Sequence, residues 1–240
     1  MKHLKKHFKT CFIIWLICLS NFKANSQVII ALLFGDKLNS DKLEFGLSGG
    51  LSQSDISNFP GAESKSGFNL GLYLNMKLSD DWFLRIEAVP KFPTGVAELK
   101  PYTLNNASLD SLLSGGTVVR KIQNIALPVL IRYKIKNLLV AETGPQLNLR
   151  TKAKDFFESG DLSYKNNIQE NFTRFDFGWA IGLSRKLNKN VTSAALGLRY
   201  YIGLTDVDKV TPNAQKNGVF QVLFSIPVGV GKQKSKEKTE

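Results

Sequence analysis

The chain has 240 residues, 43% of them hydrophobic, and a formal charge of +12. Its only cysteines and histidines, Cys11, Cys18, His3 and His7, all lie in the first 26 residues. The remainder therefore lacks an imidazole base, a thiol nucleophile, a disulfide and the usual zinc ligand sets. Most of the positive charge sits at the two ends, because residues 1–26 hold five lysines and no acid, and 232–240 hold four lysines and two glutamates. The body is left at +5, which makes no case for a nucleic-acid partner, although a basic body still favours an anionic membrane surface.

Residues 1–26 read as a secretory signal, with Lys2, Lys5, Lys6 and Lys9 at the start, an apolar run over 12–19, and Ala24-Asn25-Ser26 suited to cleavage before Gln27. The residues before Cys18, Trp15-Leu16-Ile17, are too large for a lipid-attachment site. No window beyond the signal offers about 18 uncharged apolar residues, so helical membrane spans are excluded. Residues 27–42 form a segment that three readings fit: a short extra strand, a piece in a barrel mouth, or a periplasmic docking element.

From residue 43 onward the dominant signal is a period of two. Over 67–92 the even positions carry Phe68, Leu70, Leu72, Leu74, Met76 and Leu78, then Trp82, Leu84, Ile86, Ala88, Pro90 and Phe92. The odd positions are mostly polar, among them Asn69, Asn75, Lys77, Arg85, Glu87 and Lys91. Strand side chains alternate between faces, so this is a hairpin of two amphipathic strands about the turn Ser79-Asp80-Asp81. In the symmetric register, residue i lies opposite residue 160 minus i. Each arm has about 12 residues, against about 5–6 for an average soluble strand, and a tilted membrane-spanning strand needs about 9–11.

The same alternation recurs over 43–51, 118–133, 139–149, 174–184, 194–202 and 220–230. Eight strands result, separated by short turns at 79–81, 134–137 and 187–190 and by long polar connections at about 53–66, 93–116, 152–170 and 204–217. Short and long connections alternate strictly. This predicts an all-β, eight-stranded antiparallel up-and-down transmembrane β-barrel over 43–231, with short periplasmic turns, long extracellular loops and a basic periplasmic tail at 232–240. Pro128, Pro145 and Pro227 each forfeit a ladder donor, so bulges or strand ends are expected there. Within the longest loop, 108–114 is compatible with a short helix.

A soluble barrel would turn its apolar face inward, so the polar face decides the orientation. It is crowded by small residues such as Gly46, Gly71, Gly144, Gly178 and Gly182, as a narrow interior requires. Its charges are mostly arginine, which suits desolvated bidentate pairing, whereas lysine gathers in turns and loops. The inward set is Glu44, Arg85, Glu87, Arg132, Glu142, Arg150, Arg174, Asp176 and Arg199. Five positive and four negative groups nearly cancel, which predicts a lumen ion-pair network, extended by Tyr73 and Asn75, in place of an open pore. Trp82, Tyr133, Trp179, Phe172, Tyr200, Phe92 and Phe220 are expected near strand ends or on the lipid face as interfacial rings.

The opening 28-VIIALLFGDKLNSDKLEFGLSGGLS-52 and the meander segment 127-LPVLIRYKI-135 resemble the PorT-like porin family of outer-membrane β-barrels. The resemblance implies an outer-membrane barrel and, for some members, a part in protein secretion across the envelope. Many outer-membrane barrels end on an aromatic residue, and this chain departs from that by running past Phe224 into its lysine-rich tail. The expected function is thus a non-enzymatic barrel that supports envelope or secretion machinery, in contact with outer-membrane lipid and other envelope or secretion proteins. A small-solute porin is the alternative, and a membrane-embedded enzyme using carboxylates such as Glu87 and Glu142 is a third reading. No catalytic residue, cofactor, metal or small-molecule substrate is expected.

Overall fold

A pleated chain with unlike faces can satisfy its backbone only beside another such chain, and here the pairing runs until it closes on itself. The computed structural model describes residues 40, 42–136, 138–188 and 193–228, so residues 1–26, read above as a signal, nearly all of 27–42 and the tail at 232–240 lie outside the described residues. The strands are β1 (Leu43–Ile56), β2 (Glu63–Lys77), β3 (Trp82–Leu99), β4 (Thr117–Lys134), β5 (Leu139–Ser159), β6 (Leu162–Asn167), β7 (Phe175–Lys186), β8 (Ala195–Gly203) and β9 (Asn217–Pro227). Their order is β4-β3-β2-β1-β9-β8-β7-β5, and β4 also pairs with β5, closing the ring. Strand β6 stands outside the ring as a short hairpin arm on the far end of β5. One helix, α1 (Ala107–Leu113), lies between β3 and β4, its N-terminus capped by Asn106, whose side chain accepts from the Leu109 amide.

The opening hairpin keeps the symmetric register from Leu72–Ala88 to Lys77–Phe83. Its apolar stripe faces outward along with those of the other strands: Ile86, Val129, Ile131, Phe177, Ile181, Leu198, Val222 and Ile226 are all exposed. Trp82 and Tyr133 stack across β3 and β4 near the short-turn end, ring centroids 4.7 Å apart. Trp179, Tyr200 and Phe220 are also exposed. Phe92 and Phe172 are not; each is 2% exposed and lies inside.

A β-bulge explains Phe92. Arg85, Glu87 and Val89 are buried in strict alternation, then Pro90 and Lys91 are both exposed and Phe92 is buried. The register with β4 shifts between Val89 and Phe92. Pro90 and Pro93 flank the extra residue, where two missing N–H donors make a gap in the ladder cheap. A second shift lies where β4 meets β5, at Gln123/Asn124. It changes the buried parity of β5 from Glu142, Gln146 and Asn148 to Ala153, Asp155 and Phe157. The bulges expected at Pro128 and Pro145 do not form, since the β4–β5 register is the same on both sides of that region. Pro227 does end its strand.

These shifts also correct the loop lengths. Much of 93–116 and 152–170 is strand, because β3 and β5 continue past the apolar band with altered parity and β6 pairs back onto β5. On β3 the band runs from Trp82 to Pro90, eight steps that span about 20 Å at about 3.3 Å per residue and about 40° of tilt. The extensions beyond it add a comparable height on one side of the barrel. Phe172 sits at the base of this extension, in an isolated bridge to Asp208, and packs into an apolar cluster there.

Candidate functional site

Inward positions at the short-turn half place three arginines and two glutamates in one cluster. Arg132 and Glu142 are cross-strand partners on β4 and β5. Glu142 lies beside Gly182, and Gly182 beside Arg199, so the glycine separates the two charged residues in the row. A Cβ on Gly182 would stand 3.0 Å from Glu142 Oε1. Its bare backbone lets Arg199 Nε reach that oxygen at 2.8 Å. Arg199 also crosses the lumen to Glu87, donating from Nη1 at 2.9 Å and Nη2 at 2.8 Å. Arg85 donates to the same carboxylate from its own strand and to Ser225 at 3.1 Å.

The remaining contacts tie the cluster to the wall. Arg132 Nε lies 3.1 Å from Glu142 Oε2 but is not aligned to donate, so that contact is charge pairing alone. Its Nη2 donates to Ser184 at 2.8 Å and its Nη1 to Asn75 at 3.3 Å. Asn75 in turn donates to Glu44 at 2.7 Å, bringing a third carboxylate to the three guanidiniums. The Arg85 guanidinium lies 3.9 Å from the centre of the Tyr73 ring, a cation–π contact strengthened by the dry surroundings. Beside the cluster, between Ala195, Gly197, Leu223 and Ser225, about 10 Å³ is left for a water-sized body, room for about one water.

Other members of the expected set fall elsewhere. Asp176 is buried, yet its Oδ2 accepts from the amides of Asn148 at 3.1 Å and Asn217 at 2.8 Å, and no arginine or lysine forms an ion pair with it among the described residues. Arg150 is half-buried and donates to the backbone carbonyls of Thr173 and Phe172 and to the Gln169 side chain. Arg174 is exposed and precedes the first residue of β7. Alternation assigns a face only while the chain is in the ladder, and 173–174 is not.

A second charged pair lies outside the expected set. At the loop end Arg120 makes a bidentate bridge to Asp155, Nε to Oδ1 at 2.9 Å and Nη2 to Oδ2 at 2.8 Å. Its guanidinium lies 5.2 Å and 5.1 Å from the Phe59 and Phe172 rings. Extending the even parity of β4 back to Arg120 would have found the donor; Asp155 was hidden by the parity change in β5. Tyr102 donates to Asp155 at 2.9 Å, and burial, followed by the Asp155 charge, pushes its phenol up to about 12. Around this pair Val96, Leu99, Leu113, Val118, Phe157 and Ile168 pack into a continuous apolar cluster.

Between the two ends runs a layer of amides and rings: Ser52 to Asn69 to Gln221, Gln146 to Asn148, and Phe92 edge-on to Tyr201 at 6.2 Å. The described lumen thus carries ion pairs at one end, amides and rings in the middle and an apolar cluster at the other. Among the described residues no group of three or more His, Cys, Asp or Glu side chains is placed to hold a metal ion.

Several solved outer-membrane proteins are similar in shape. Ail, the attachment invasion locus protein of Yersinia pestis, is 11% identical over 78% of this chain and 99% of its own, with a TM-score of 0.44. Neisserial surface protein A is 14% identical over 76% and 96%, with a TM-score of 0.44. OprG from Pseudomonas aeruginosa is 15% identical over 78% and 93%, with a TM-score of 0.39. No curated protein sequence matches the chain. The family model described as outer membrane protein beta-barrel domain matches residues 25–209, and the chain belongs to that family of bacterial outer-membrane proteins.

Proposed function

We infer that this barrel is a non-conducting, non-enzymatic anchor in the outer membrane, serving envelope or protein-secretion machinery through the surfaces it holds on either side. The observation that carries this reading is the bridge of Arg199 to both Glu87 and Glu142, which ties opposite walls of the lumen together. Eight strands leave an interior about wide enough for side chains, and here side chains occupy it. The PorT-like resemblance and the secretion role attached to some members of that family belong to the same reading.

Planar-bilayer recording of the purified protein tests the closed lumen: no steady conductance is expected, and large sustained openings would favour the small-solute channel. Co-purification from detergent-solubilised membranes tests the accessory role. A reproducible envelope partner is expected, and its absence would leave a barrel without machinery to serve.

A further inference from the structure

Two lysines of the short-turn rim are neutralised by neighbouring carboxylates, and a larger group at the loop rim is not. At the short-turn rim Lys77 is bridged to Asp80 at 2.7 Å and Lys134 to Asp81 at 3.0 Å. At the loop rim Lys91, Lys121, Lys152, Lys154 and Lys165 share the outer side of β3–β6, and none makes a salt bridge among the described residues. Lys121 and Lys154 are direct cross-strand partners, an arrangement that costs stability when no anion sits between them. The Phe156 ring lies near two of these charges, 4.3 Å from Lys121 Nζ and 5.6 Å from Lys165 Nζ. Lys65 is pulled below the ordinary ammonium range by burial and then by the charge of Lys121. Glu158, two positions beyond Phe156, is the acid on this side of β5, and it lies toward the hairpin tip.

Three of the lysines, Lys91, Lys152 and Lys154, are aimed outward by the bulges. Had the parity of Arg85, Glu87 and Val89 continued, Lys91 would point into the lumen; the extra residue turns it out, over Phe68 at 5.2 Å. The parity change in β5 does the same for Lys152 and Lys154. Their height is set by the ladder. The row Gln123–Lys152 lies just beyond the apolar row Ile125–Leu149, and the row Lys121–Lys154 lies one step further. At about 3.3 Å per residue and about 40° of tilt, these rows stand about 5 and 10 Å above the apolar band. The headgroup layer of a bilayer begins at the hydrocarbon edge and is about 5–8 Å deep on each side. The Lys152 row thus lies within it and the Lys121–Lys154 row just above it, from where the long lysine side chains reach back down.

We propose that the outer face of β3–β6 is a docking surface for the phosphate groups of lipids in the outer leaflet, held by Lys91, Lys121, Lys152 and Lys154. The apolar chains of such a lipid would lie on the exposed band below, beside Ile86 and Leu127, while its phosphate bridges the Lys121–Lys154 pair. Ammonium groups bind a phosphate as point charges, so the site selects for charge and height and tolerates variation in headgroup shape.

The test uses the full mature protein in a neutral detergent, titrated with phosphatidic acid or with phosphatidylcholine of the same chains, bound lipid being counted by native mass spectrometry. Preference for phosphatidic acid is expected, and it should fall about tenfold or more when Lys91, Lys121 and Lys154 are all changed to Gln. The same three changed to Arg should bind as the parent does. A Lys77→Gln, Lys134→Gln variant at the opposite rim should also bind as the parent does. The proposal is overturned if the parent shows no preference, if the two glutamine variants lose affinity equally, or if inorganic phosphate at equal concentration displaces the lipid.

Discussion

The two ends of the lumen are filled by opposite means. The short-turn half, inside the membrane, is packed with charge: Arg85, Glu87, Arg132, Glu142 and Arg199 are all below 7% exposed. The loop-end half, which rises beyond the apolar band, is packed with hydrocarbon and aromatic rings around the Arg120–Asp155 pair. A soluble protein would reverse this. In a membrane the apolar side chains of the spanning segment are drawn outward to lipid, so the lumen receives the polar parity by default and must neutralise it internally. Past the hydrocarbon edge the outside is water again, and the inward parity becomes apolar. Strands β3 and β5 thus change the sense of their alternation at the membrane boundary, at the bulge by Pro90-Lys91 and at the β4–β5 shift, while β4 keeps one parity throughout.

The sharpest way to break this contrast is to remove one shared carboxylate. Glu87→Ala leaves Arg85 and Arg199 buried with part of their charge unpaired, and urea unfolding in lipid vesicles should show a loss of about 3–5 kcal/mol. A change below about 1 kcal/mol would mean that the cluster is not dry. Phe157→Ala should cost about 3 kcal/mol by leaving a cavity in the loop-end cluster. Hydrogen exchange should locate that loss in the extensions of β3–β5 and in α1, sparing β7 to β9; a uniform loss would show that the two halves unfold as one unit.

Asp176→Asn is the smaller test of the ionic half. That carboxylate is held by two amides without a cation, so its neutral isostere should alter stability by less than about 1 kcal/mol in either direction; a loss as large as that of Glu87→Ala would reveal a cationic partner. The mildest probe is pH at the loop end. The Tyr102 phenol is raised from its ordinary value near 10 to about 12, so the stability it contributes is present below pH 10 and is lost as pH rises toward 12. Tyrosinate absorbance should show this titration, with hydrogen exchange increasing around Asp155 and not around Glu87.

How much of this was legible in the residues depends on whether a neighbour in the ladder or a partner across the lumen is concerned. The register of the 67–92 hairpin, the short helix near 108–114 and the inward placing of Arg85, Glu87, Arg132, Glu142 and Arg199 follow from alternation and turn length. Alternation puts Phe92 on the lipid face, Arg174 in a strand and Arg150 in an ion-pair network, whereas the structure buries Phe92, starts the strand after Arg174 and gives Arg150 backbone carbonyls. In the first case an extra residue shifted the count, and in the second the ladder had not yet begun. For Arg150, parity indicates which side a residue faces without indicating what waits there. Asp155 is hidden because a run that changes parity looks, in a window of a few residues, like the end of a strand.

Taken alone, then, the sequence determined the number of ring strands, the end at which each turn lies and the chemistry the body of the chain lacks. These are local properties, written by a pleat that repeats every two residues. Only the tertiary structure decided that Arg199 reaches Glu87 across the lumen, that Gly182 makes room for its contact with Glu142, and that two bulges turn lysines outward in successive rows at the edge of the apolar band. Those depend on how far each strand is staggered against the next when the ring closes. Stagger is a sum over all the strands, so no window of sequence contains it.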